Sequence, residues 1–99
     1  MEVSVAVVYM TYPVHRGKEM AFQEAYAMIF DVMRAAEGHK ESHLFRRISE
    51  PGAFLIVSEW ENKSAFDTFV NSEQFKLHTT EWGKNNIVSG PPSHHIVET

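Results

Sequence analysis

The chain contains no cysteine, so disulfides, thiolate catalysis and thiolate metal sites are excluded outright. It also lacks a glycine-rich fingerprint of the GxGxxG kind, the usual backbone cradle for the phosphates of a nicotinamide or flavin cofactor. Positive charge is scarce: 9 Lys and Arg stand against 13 Asp and Glu, a net charge of −4. Affinity for nucleic acid comes mainly from phosphate neutralisation, so nucleic acid is not an expected partner. The densest basic spot, Arg46-Arg47, falls in a strand pattern where adjacent side chains diverge, so it does not form one patch. No apolar run is long enough to span a bilayer, and the chain opens on alternating valines rather than a basic segment with an apolar core. Neither membrane insertion nor secretion is indicated, and a cytoplasmic location is expected.

What is present describes a globular domain. Of the 99 residues, 43% are hydrophobic and 12% aromatic, enough for one domain over residues 1–99 whose small size makes a partner subunit useful. From Val3 to Tyr12, Val3, Val5, Val7 and Tyr9 alternate with Ser4, Ala6, Val8 and Met10, the period of a strand, with Pro13 and Gly17 marking its exit. Between Lys18 and Glu37, Phe22, Tyr26, Ile29, Phe30 and Met33 recur at helical spacing, and Gly38 supplies the residue that ends the helix.

Glu41 to Ile48 and Ala53 to Trp60 read as two further strands, paired as a hairpin through Glu50-Pro51-Gly52. Asn62 suits the N-cap of a helix whose buried stripe is Ala65, Phe66, Phe69 and Val70. Ser72 caps a shorter helical turn carrying Phe75 and His78 and ending near Trp82-Gly83, and Ser93 to Glu98 forms a last strand. The order is that of an α+β ferredoxin-like sandwich: a four-stranded antiparallel sheet with helices on one face. Its other face then lacks a cover. Val3, Val5 and Val7 or Val8 would be wetted there in a monomer, which predicts a homodimer of apposed sheets.

Together these residues resemble the antibiotic biosynthesis monooxygenase superfamily, small dimeric α/β-barrel proteins that include cofactor-free quinone-forming and haem-degrading monooxygenases. The resemblance rests on Pro13-Val14 and Gly17-Lys18 after the opening strand and on Gly38 closing the first helix. It rests further on Ser58-Glu59-Trp60-Glu61 followed by Ala65-Phe66, and on Ser72 to Phe75 with His78. It implies a homodimer with a pocket between sheet and helices, no metal or flavin, and oxygenation of a small planar aromatic or quinol-type compound. In the haem-degrading branch a first-strand asparagine works with a tryptophan and an axial histidine. Here Met10 stands near that asparagine's place, and His78 follows Phe75 by three residues rather than four. In the quinone-forming branch the tryptophan is matched by Trp60, with Phe66 where a tyrosine is expected and Ile56 where an asparagine is expected.

Trp60 and His78 are accordingly the candidate catalytic residues, the indole to stack on a flat ligand and the imidazole to act as base. Met10, Tyr26, Phe66 and Phe75 are the candidate substrate-binding residues, while Tyr9, Tyr12 and Trp82 read as core or pocket wall. No metal site is expected; His94-His95 are adjacent on a strand and diverge, with no further ligand at a suitable spacing. Two other readings stay open: a haem-binding or haem-degrading protein with His78 as axial ligand, and a non-catalytic dimer that binds a small metabolite.

Overall fold

The computed structural model describes residues 5–50 and 52–99. Along the chain come β1 (Ala6–Pro13), α1 (Glu19–Arg34), β2 (His39–Arg46), β3 (Ala53–Trp60), α2 (Lys63–Val70), α3 (Glu73–Lys84) and β4 (Ser93–Glu98). The strands form one antiparallel sheet in the order β2-β3-β1-β4, a ferredoxin-like α+β arrangement. No helix among the described residues is long and apolar enough to cross a membrane.

Register determines which residues share a face. Ser42, Ser58, Val8 and Ile96 lie in one cross-strand row, and Leu44, Ile56, Met10 and His94 in the next, all on the side the helices cover. Ala6, Val8, Met10 and Tyr12 are buried there against Phe22, Ile29 and Met33 of α1. The alternate rows, His43-Val57-Tyr9-His95 and Glu41-Glu59-Val7-Val97, face the other way, where Tyr9 is 38% and Val97 51% exposed. Val7 is therefore on the open face, whereas Val8 is wholly buried beneath the helices. Val3 lies outside the described residues, as does Pro51 of the hairpin turn.

Several boundaries differ from the sequence expectation. β2 begins at His39 rather than Glu41, because a register irregularity between those residues lets the strand extend back to Trp60. The segment after Ser72 is not a short turn but a helix of 12 residues. It runs past Trp82-Gly83 and closes in a Schellman motif: Ile87 N–H donates to the Trp82 carbonyl at 2.9 Å and Asn86 N–H to the Gly83 carbonyl at 3.1 Å. Asn86, with φ of 55°, supplies the left-handed residue of that closure. The expected caps form: Asn62 Oδ1 accepts from Ala65 N–H at 2.8 Å, and Ser72 Oγ from Phe75 N–H at 3.2 Å.

Gly38 combines a φ of +86° with a Cβ position 2.6 Å from the Ala65 Cβ, so α2 packs against the space a side chain would need. Gly17 has a φ of +85° with nothing within 4 Å. Gly38→Ala is expected to lower the unfolding free energy by about 2–3 kcal/mol and Gly17→Ala by about 1 kcal/mol. Urea denaturation of the two variants checks this, and equal losses would show that the approach of α2 is not felt.

His39 yields a second expectation. Its Nε2 is buried without a hydrogen-bond partner among the described residues, and its ring meets Trp60 edge-on at 5.1 Å and Phe30 at 6.5 Å. Burial lowers its pKa below 6.5, opposed by a backbone hydrogen bond at Glu41. As pH falls through the unfolded value the unfolded chain gains a proton that the folded state resists, so stability should drop below about pH 6.5. Thermal melts should show that drop flattened in His39→Phe. An unchanged slope would mean that the folded state protonates this ring freely.

Candidate functional site

Where α3, the start of β4 and the loop between them meet β1, the packing leaves an open apolar cavity of roughly 510 Å³. That volume suits a compact organic ligand. Met10 of β1 and Phe75 of α3 line it together with Tyr12, Val70 and Trp82, and Val88 to Pro92 and His94 complete the wall. Among the described residues no lysine, arginine or carboxylate faces it, so the site favours a neutral or weakly polar ligand over a phosphate or a polyacid.

Two aromatic clusters form the surroundings. Tyr12 meets Trp82 edge-on at 5.4 Å and Phe22 at 5.5 Å, and Phe22 packs on Phe54 at 5.1 Å. On the other side Phe75 meets Phe69 at 5.1 Å, and Phe69 packs on Trp60 at 5.2 Å. Edge-to-face and tilted contacts of this kind hold ring orientations beyond what burial alone provides. Trp82 occupies its place because α3 continues to Lys84, which turns the indole of the last helical turn onto the sheet instead of leaving it in a loop.

The loop wall is tied to β1 by backbone bonds. His15 N–H donates to the Ile87 carbonyl and Ser89 N–H to the Pro13 carbonyl, each at 2.9 Å, and Val14 bridges Val88. This fastening keeps Val88 to Pro92 beside the cavity.

The polar groups on the wall are few. The Tyr12 hydroxyl is buried, which pushes its pKa above the usual phenol range and keeps it protonated. Thr79 Oγ1 donates to the Phe75 carbonyl at 3.0 Å, and Ser89 Oγ to the Pro13 carbonyl at 3.5 Å.

Of the residues singled out from sequence, Met10 and Phe75 reach this cavity. Trp60 does not line it: its ring is fully buried between His39, Phe66 and Phe69, and its Nε1–H donates to Ser58 Oγ at 2.9 Å. Phe66 packs on Trp60 in that same layer, at 5.8 Å. Tyr26 sits over β2, its hydroxyl 3.1 Å from Ser42 Oγ and its ring stacked on Phe30. His78 is half-buried on α3, outside the lining. Among the described residues no three His, Asp or Glu side chains group as a metal site.

Tyr12 and Trp82 were legible as core or wall, but His94 was not legible as a lining residue. Its only signal is register: once β4 pairs with β1, His94 stands opposite the buried Met10 and His95 opposite the exposed Tyr9.

A sequence profile of the antibiotic biosynthesis monooxygenase family matches residues 5–80. Among curated proteins, a 42.8 kDa protein of the whiE locus of Streptomyces coelicolor is 37% identical over 68 residues, covering 69% of this chain and 17% of its own length. Protein SchA of Streptomyces halstedii is 33% identical over 58 residues, covering 59% of this chain and 15% of its own length. The chain thus spans about a sixth of the length of either relative. Among solved structures, SnoaB, a cofactor-independent oxygenase from Streptomyces nogalater, superposes with a TM-score of 0.77 at 17% identity, covering 97% of this chain and 92% of SnoaB. A conserved protein from Methanosarcina mazei gives 0.81 at 16% identity, covering 96% and 91%. These two likenesses show the fold. The profile match shows the family: the chain belongs to the antibiotic biosynthesis monooxygenases.

The chain has 2 tryptophans, and they report on different places. An apolar ligand entering the cavity should quench Trp82 and leave Trp60 bright. A fluorescence titration with 1,8-dihydroxyanthrone should keep its quench in Trp60→Phe and lose it in Trp82→Phe; the opposite pattern would put the ligand in the Trp60 layer.

Proposed function

We propose that this family member is a cofactor-independent monooxygenase acting on a small planar aromatic or quinol-type compound bound in the cavity between Met10, Phe75 and Trp82. The observation that carries the reading is that cavity: apolar, walled by aromatic rings, free of acidic, lysine and arginine side chains among the described residues, and roughly 510 Å³ in volume. Family membership and the oxygenase named among the structural relatives support it.

The chemistry asks little of the protein beyond binding and a proton acceptor. An electron-rich enol or phenol, once deprotonated, gives an anion that reduces dioxygen itself. An apolar wall concentrates both the flat substrate and dioxygen, and it shields the reduced intermediates from water. For an anthrone the balance is simple: the ring CH2 becomes a carbonyl, one oxygen atom enters the product, and the other leaves as water. Four electrons pass from carbon to dioxygen.

The working unit in this proposal is a homodimer. Val7, Tyr9, Leu55, Val57 and Val97 share the open face of the sheet, together with Phe45, which is 52% exposed. A second sheet packed on that face would remove apolar area from water at roughly 25 cal/mol per Å². Light scattering at micromolar concentration should report about twice the 11.4 kDa chain mass.

Activity is tested by oxygen uptake with 1,8-dihydroxyanthrone. One dioxygen should be consumed per anthrone, at a rate unchanged by a chelator or by added flavin. Binding without catalysed uptake would favour the metabolite-binding reading instead. A Soret shift on adding haemin, with no anthrone turnover, would point to haem.

A further inference from the structure

Oxygenation without a cofactor requires one group to take the substrate proton, and the cavity wall holds few that could. Tyr12 is a protonated phenol, already a donor. The hydroxyls of Thr79 and Ser89 point at main-chain carbonyls, and an alcohol is too weak a base in any case. The remaining lining residues are apolar apart from the Trp82 indole, which only donates, and His94.

His94 lies on β4 opposite Met10, in the row on the helix-covered side of the sheet, so its imidazole shares a wall with the substrate-facing methionine. β4 is an edge strand and His94 is exposed at the cavity mouth, where the water formed in the reaction can leave. Imidazole is the side chain that changes charge near neutral pH and acts as base and then as acid within one cycle. His78, the histidine that the sequence favoured, lies outside the lining.

We propose that His94 is the general base of this site, which takes the acidic proton of an enolisable or phenolic substrate. The assignment rests on the oxygenase reading of the cavity. An imidazole nitrogen takes one hydrogen of the anthrone CH2 as a proton, and the C–H electron pair stays on the ring as an enolate. The enolate passes its electrons to dioxygen, a carbon–oxygen bond forms, and the imidazolium protonates the terminal oxygen. The neutral imidazole then takes the second hydrogen from the same carbon while the O–O bond breaks. Hydroxide leaves, receives that proton from the imidazolium and departs as water. The substrate is the only reductant and dioxygen the only oxidant, and His94 ends as it began.

The test compares wild type, His94→Gln and His78→Gln with 1,8-dihydroxyanthrone as probe, reading oxygen uptake and, separately, ligand quenching of Trp82. His94→Gln should lower kcat at least about 100-fold while the quenching Kd stays within about 3-fold, as loss of a proton acceptor rather than a binding contact requires. Added imidazole should restore part of the rate. Raising the pH until the anthrone is ionised in solution should shrink the deficit of His94→Gln, because the base is then no longer needed. An active wild type with an equally active His94→Gln overturns the assignment alone, as does a loss confined to His78→Gln. A wild type that binds the anthrone but consumes no oxygen defeats the oxygenase reading, and the assignment falls with it.

Discussion

The sheet pleat divides this small protein into a side packed dry beneath the helices and a side that stays open. β1 runs in the interior of the sheet, flanked by β3 and β4, and its alternation places Ala6, Val8, Met10 and Tyr12 under the helices. A one-residue slip in that register would exchange all four for Val7, Tyr9, Thr11 and Pro13 and move the cavity floor to the wrong face. Core, cavity and open face all follow from the same alternation. So does the divergence of His94 and His95.

The helices complete the cavity by their lengths more than by their sequences. α2 and α3 are separated only by Asn71 and Ser72, where Ser72 both receives the Phe75 N–H and donates to the Phe69 carbonyl at 2.6 Å. This junction aims Phe69 into the core and Phe75 at the cavity, so the two rings touch across the corner. At the far end the Schellman closure returns the chain to β1, and the bonds from His15 to Ile87 and from Ser89 to Pro13, on either side of the Val14–Val88 bridge, hold the loop as a wall.

Most of the fold was legible because it depends on local signals. Alternating valines, a helical stripe from Phe22 to Met33 and the Asn62 and Ser72 caps each point to one structure, and they agree with one another. The cavity was less legible because it depends on long-range register. Trp60 ends a strand next to a polar pair of residues, a pattern shared by a pocket tryptophan and a core one. Only the ring's neighbours, Phe66 and Phe69 from a helix and His39 from the next strand, show that the core has closed over it. Trp82 was legible as core or wall, and the helix that carries it on to Lys84 decides which ring it meets. His94 was hidden by a pairing partner 84 residues away in sequence, Met10.

The most direct test of the account is where a flat ligand lands. Of the chain's 5 methionines, the four among the described residues sit in distinct places: Met10 on the cavity floor, Met33 in the core, and Met20 and Met28 exposed on α1. With methyl-labelled methionine, titration of 1,8-dihydroxyanthrone should produce a large ring-current shift at Met10 and leave Met20 and Met28 in place. A ligand that shifts Met33 while leaving Met10 unmoved would place binding in the core beneath α1 and contradict the cavity as the site.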